Sequence, residues 1–241
     1  MRAETRHQLK QDRFSRATFG AAEATVHWTV EHKTKLTVGG VVLVVVLAVA
    51  FGGWYYLNQQ DQQASVQLNQ AVRTLDTPLR VAGAPPEPDN PSFASARERA
   101  TEARKQFQAI LDKYPHTRTS EFAGYFLGLT ASQFGDNAAA ERELKGVAAS
   151  HNDDLAALAK LALAAIYRNT NRTKDAIDIY NHLIAKPARS VGKVTAQMEL
   201  AATYQSSQQP AEAKRTYEQI QKENPASEVA QSATQKLQEL K

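Results

Sequence analysis

The chain has 241 residues, no cysteine and a formal net charge of +4, from 29 Lys and Arg against 25 Asp and Glu. The missing thiols exclude disulfides, cysteine nucleophiles, zinc ribbons and iron–sulfur clusters. With 11 Gly, 9 Pro and 7% aromatic residues, the composition favours an all-α chain whose core is built from Ala and Leu.

Residues 1–35 form a basic tail, with seven Lys and Arg against four acids, whereas the remainder holds 22 against 21. The large domain therefore lacks the concentrated basic face that nucleic-acid binding requires. The tail has mixed charge and scattered apolar residues (Phe14, Phe19, Val26, Trp28) and reads as a topogenic signal rather than an interfacial helix.

Residues 36–57 (LTVGGVVLVVVLAVAFGGWYYL) contain no charge. About 20 apolar residues in a helix cross a hydrocarbon core of ~30 Å, and in lipid a single segment satisfies its backbone only as a helix. Trp54, Tyr55 and Tyr56 close the run at one end and Lys33 and Lys35 at the other. The flank after the run holds Asp61 and no Lys or Arg before Arg73. The positive-inside rule then places residues 1–35 in the cytoplasm and residues 58–241 across the membrane. A cleaved signal peptide ending near Ala48–Ala50 is the weaker reading, because the leader is long and the apolar run continues through the aromatic cluster. Gly39-Gly40 and Gly52-Gly53 do not form a G-x-x-x-G pair.

Residues 58–75 are polar and helix-compatible, and lead into the outer domain. Residues 76–93 hold five of the nine prolines and read as an extended loop, since Pro fixes φ and removes a backbone donor. From residue 94 to 241 a period emerges. Ala103, Ala140, Ala176 and Ala213 stand 37, 36 and 37 residues apart, each followed four residues later by Phe107, Leu144, Tyr180 or Tyr217. Upstream, Leu127-Gly128, Leu163-Ala164 and Leu200-Ala201 hold matching places. Gly135-Asp136-Asn137, Asn171-Arg172 and Gln208-Gln209-Pro210 read as the turns between the two helices of each unit. Such a period marks stacked helical hairpins.

At these residues the sequence resembles the tetratricopeptide repeat family. Residues 121–154, 157–190 and 194–227 fit three 34-residue units; residues 94–115 fit the second helix of an earlier unit whose first helix is 58–75. Residues 228–240 look like a capping helix. The repeats are degenerate, because the bulky residue usual at the fourth place is Gly124, Lys160 and Gln197. The layout as a whole also resembles a narrower bacterial group, the YfgM-like ancillary subunits of the Sec translocon, which implies a translocon subunit or a periplasmic chaperone as partner. The expected fold is one N-terminal transmembrane helix followed by an α-solenoid of tetratricopeptide-like hairpins with a C-terminal cap.

No catalytic, metal or cofactor site is expected. None of the six His pairs with another at i, i+3 or i, i+4 on an expected helix. Ser190-Val191-Gly192-Lys193 lacks the spacing of a phosphate loop. Asn171-Arg172-Thr173 is a sequon in a tight turn. Asp153-Asp154 reads as complementing a helix dipole, and Glu141 and Glu143 as solvated. What remains is a protein-binding surface on the first helices, with Tyr125, Gln133, Arg168, Met198 and Gln205 as candidate contacts and Leu129 and Leu161 divided between groove and core. The reading is a membrane-anchored periplasmic scaffold assisting export or envelope protein folding, with no enzyme activity, cofactor, nucleic acid or small-molecule substrate. The rival is a self-associating protein of envelope organisation or outer-membrane assembly, so homo-oligomer formation stays open.

Overall fold

A computed structural model describes residues 33–81, 83, 85, 91–225 and 227–240. Most of the basic tail and the centre of the Pro-rich loop lie outside the described residues. The described residues form nine helices: α1 (Lys33–Asp76), α2 (Ala96–Lys113), α3 (Arg118–Gln133), α4 (Asn137–Ala148), α5 (Asp153–Asn169), α6 (Thr173–Ala185), α7 (Lys193–Ser206), α8 (Pro210–Glu223) and α9 (Glu228–Glu239). The chain divides into two units, residues 1–56 and 57–241.

In the first unit, the described residues are the apolar part of α1. Val38, Leu43, Val49 and Trp54 are 58%, 59%, 70% and 61% exposed, so no described residue covers any side of the helix. Phe51 and Trp54, one turn apart, place their ring centroids 5.8 Å from each other.

The second unit is a row of antiparallel hairpins, each packed on its neighbours in sequence. The four anchor alanines, Ala103, Ala140, Ala176 and Ala213, are all fully buried, and so are Phe107, Leu144 and Tyr180 beside them, with Tyr217 1% exposed. A small residue lets the paired helices approach, and the large one four residues later fills the space between hairpins. Gly128 shows how close the approach is. A Cβ built there would lie 2.7 Å from Leu144 Cγ and 3.4 Å from the Ala140 carbonyl oxygen. Three apolar clusters result, one over α1 to α3, one from α3 to α7, and one over α7 to α9. Such an array is stabilised by contacts between nearest neighbours rather than by one central core.

Local signals set the boundaries. Ser95, Thr117, Asp136, Asn152 and Ser227 cap α2, α3, α4, α5 and α9, each accepting a hydrogen bond from a backbone N–H of the first turn. Gly135, Asn171 and Gln208 take φ of 75°, 60° and 60° and reverse the chain inside the three later hairpins. Pro210, read in sequence as part of a turn, is instead the first residue of α8, where its missing N–H has no intrahelical partner to lose.

The first hairpin is split, and its parts are joined across the loop. Ala64 and Ala71 on the last turns of α1 are fully buried, with Leu68, Val72 and Leu75 on the same stripe. Thr74 Oγ1 donates to Gln106 Oε1 at 2.8 Å, and Gln67 Nε2 donates to the Tyr114 hydroxyl at 3.0 Å. The loop's ends are tied to each other, Arg80 N donating to Phe93 O at 2.9 Å and Phe93 N to Pro78 O at 3.2 Å. The insertion is thereby closed at its base. Asp61 on α1 spans 58 residues to cap α3, its Oδ1 accepting from Thr119 N at 2.9 Å.

Candidate protein-binding surface

The first helices of the hairpins stand side by side. Helix α3 packs on α5, and α5 is joined to α7 by Arg168 Nη1, which donates to Glu199 Oε2 at 2.7 Å. Each early turn of a first helix also holds the chain that leaves its hairpin. Ser150 Oγ donates to Glu121 Oε2 at 2.6 Å, and Ser190 N donates to Asp154 Oδ1 at 3.0 Å. In the last hairpin the polarity is reversed: Lys193 Nζ and Gln197 Nε2 both donate to Glu223, each at 3.0 Å. These latches fix the spacing of the first helices and hence of the side chains between them.

The five candidate contacts fall on these helices, with different freedom. Gln133, the last residue of α3, is exposed. Tyr125 is half-buried, sits 5.7 Å edge-on from Phe126, and has its hydroxyl pKa raised by burial. Met198 is half-buried against the third apolar cluster. Arg168 is half-buried and committed to Glu199. Gln205 accepts a long hydrogen bond from the Tyr217 hydroxyl at 3.5 Å. Of the two residues divided between groove and core, Leu161 packs against the central cluster, while Leu129 is half-buried. Arg168 and Gln205 thus bind their own chain, and a partner would meet an Arg168–Glu199 pair rather than a lone guanidinium.

Phe122 was not singled out from the sequence. It is 36% exposed on α3, one turn before Phe126, whose ring stacks on Phe107 with centroids 5.4 Å apart. It stands 36 residues before the half-buried Leu158, so the repeat period was the signal for it. Glu199 was missed because its partner lies 31 residues away.

One reading of the charges is corrected. Glu141 is not merely solvated. It accepts from the Tyr167 hydroxyl at 2.9 Å, from Arg172 Nη1 at 2.8 Å and from Lys145 Nζ at 2.6 Å, while the Arg172 guanidinium lies 3.9 Å from the centre of the Tyr167 ring. Lys145 first, then Arg172 and Tyr167, hold its carboxyl down to about 2. This knot joins α4, α5 and α6 and is structural. No group of three His, Asp or Glu side chains fit to hold a metal ion occurs among the described residues.

The geometry has counterparts among known proteins. A model of the tetratricopeptide repeat-like domain matches residues 26–182, and a tetratricopeptide repeat model matches residues 195–227. The first match begins upstream of the apolar helix and includes it. No curated protein matches the chain. Among solved structures, the chain is similar to nearly identical TPR-like repeats of a candidate kinesin light chain from Podosopora anserina, with 15% identity, a TM-score of 0.56, and coverage of 75% of this chain and 86% of that one. A single-substitution variant of that protein gives 15%, 0.55, 75% and 85%. At that identity the likeness speaks to fold alone. The family models reach well past half of the sequence, and with the buried anchors at a constant period they place this chain in the tetratricopeptide repeat-like family, whose repeats serve protein–protein interaction.

Proposed function

We propose that the chain is a membrane-anchored periplasmic scaffold that holds protein partners on the first-helix surface of its repeats, at or near the translocon, in protein export or envelope protein folding. The observation that carries the anchoring is α1. Its most apolar stretch has a mean hydropathy of 2.5, and none of it is buried. In water that surface would be exposed on every side, whereas in a bilayer it meets hydrocarbon. The helix runs on without a break past Ala50 to Asp76, and its final turns belong to the core of the repeats, which supports a retained anchor over a cleaved leader. The basic flank before it and the acidic flank after it support a cytoplasmic N-terminus.

Binding is assigned to the surface bearing Phe122, Tyr125, Gln133, Arg168, Met198 and Gln205. Aromatic, Met and Arg side chains are those enriched at protein interfaces. Tethering raises the effective concentration of this surface for partners in the same membrane. No feature of the surface calls for a reaction.

The test is in-cell photo-crosslinking of the full-length protein. A photoreactive residue replaces the exposed Phe122 or Gln133, with a control at exposed Lys174 on a second helix. Translocon or periplasmic chaperone peptides captured at the first two positions and absent from the control are expected. Crosslinks confined to a second copy of the chain would favour the self-associating reading, and crosslinks to cytoplasmic proteins would overturn the topology.

A further inference from the structure

A set of three positions recurs at the open end of each of the three later hairpins, remote from the turn, and it is furnished differently each time. The positions keep a constant register, one on the first helix and two on the second. They are Gly124, Gly146 and Ser150 in the first of these hairpins, Lys160, His182 and Lys186 in the next, and Gln197, Gln219 and Glu223 in the last. In the last hairpin a carboxylate of the chain itself occupies the place. Glu223 accepts from Gln197 Nε2 at 3.0 Å, from Gln219 Nε2 at 2.9 Å and from Lys193 Nζ at 3.0 Å. These donors hold its carboxyl down to about 2, Gln219 first, then Gln197 and Lys193.

In the middle hairpin the same place has the opposite charge and is open. A cavity of about 180 Å³ lies there, with Ala157 and Leu183 among the apolar residues of its floor and Lys160, His182 and Lys186 on its rim. Lys160 is half-buried, and its Nζ lies 3.5 Å from His182 Nε2, a contact of two nitrogens. Asp153 also lines the cavity, but no carboxylate among the described residues comes within 4.0 Å of the Lys160 or Lys186 ammonium. A partly desolvated ammonium facing an imidazole, without a counter-charge, favours an incoming anion.

We infer that the recess lined by Lys160, His182 and Lys186 binds the carboxylate of a protein ligand, borne on an aliphatic residue whose side chain fills the floor, in the place that Glu223 occupies in the last hairpin. None of the first-helix surface candidates lines this cavity, so the site is separate from the surface proposed above and its test does not depend on that reading.

The test uses full-length protein in detergent micelles with 13Cε1-labelled histidine, the His182 resonance being assigned from His182→Gln. N-acetyl-leucine, carrying one carboxylate and one aliphatic side chain, is titrated at constant ionic strength. A saturable shift of His182 is expected, with a dissociation constant on the order of 1–10 mM. N-acetyl-leucinamide, which lacks the carboxylate, is expected to leave the resonance in place. Lys186→Glu supplies an internal carboxylate like that of Glu223, and should weaken binding at least about tenfold. Lys186 is exposed, so the fold is expected to survive, and Lys186→Gln provides a second variant that removes the charge without adding an acid. No shift with N-acetyl-leucine, an equal shift with the amide, or an undiminished shift in both variants would overturn the assignment. So would a response to inorganic phosphate with none to the carboxylate.

Discussion

At the scale of single residues, the array depends on a few contacts of fixed size. Gly128 is demanding, since an added Cβ meets Leu144 Cγ at 2.7 Å with helix backbone close behind. Gly128→Ala should gain up to about 1 kcal/mol of helix propensity and lose about 1–3 kcal/mol to overpacking. A net loss in denaturant midpoint at unchanged slope is the expected result. Truncating Phe107 or Tyr217, both essentially fully buried, should cost about 3–5 kcal/mol. These residues were legible in the sequence because each recurs in fixed step with a small partner. The knot around Glu141 was not. Its partners are Lys145 one turn on in the same helix, Tyr167 in the next helix and Arg172 in the turn that follows, and along the chain the charged ones look like ordinary surface residues. The same holds for the Lys160 recess, where the sequence showed only that the fourth place lacks its usual bulk. That Lys160 faces His182 depends on two helices lying antiparallel.

At the scale of elements, helices are held to one another, between hairpins at Glu141 and within the last hairpin at Glu223, by latches that titrate. Glu141 and Glu223 are each held down to about 2 from an ordinary 4.5, the first chiefly by Lys145 and the second chiefly by Gln219. A carboxyl with a lowered folded-state pKa stabilises the fold fully above its unfolded value, and this contribution is lost as pH falls through the folded value. The melting temperature should therefore decline as pH drops from about 4.5 towards about 2. After solvent screening, each group accounts for on the order of 1 kcal/mol. Glu141→Gln should flatten part of that decline, and the double variant with Glu223→Gln should flatten it further; an unchanged slope would show that the latches do not titrate as argued. The latch at Asp61 makes a different prediction. It is the acid of α1 that caps α3 across the inserted loop. Asp61→Ala should cost about 0.5–2 kcal/mol, as lost caps do. Hydrogen exchange should quicken over residues 57–76 and at the start of α3, while α7 to α9 keep their protection. The sequence pointed to a hairpin split by a Pro-rich insertion; it could not show that Asp61 bridges 58 residues or that Leu79 and Phe93 pair at the base of the loop.

At the scale of the whole molecule, the two units present opposite surfaces, one apolar and exposed along its helix, the other with its apolar anchors buried. The apolar part of α1 has no described residue covering it, whereas the repeats bury their anchors and present a nearly balanced set of charges. The proposed topology follows from that contrast and from the basic tail, and the absence of native cysteine makes it directly measurable. Single cysteines at Ala21 in the tail and at exposed Ser232 on α9 serve as reporters. In cells whose outer membrane has been opened, a membrane-impermeant maleimide should label Ser232→Cys at once and Ala21→Cys only after the inner membrane is breached. The reverse pattern would invert the anchor, placing the repeats in the cytoplasm and removing translocon-side or chaperone partners from reach. Labelling of both at once would mean that the helix is not holding the chain across a bilayer. A shorter product that keeps Ser232→Cys but lacks the tail would mean that the apolar segment is a leader rather than an anchor. The first-helix surface would then still bind proteins, but without the gain in local concentration that tethering supplies.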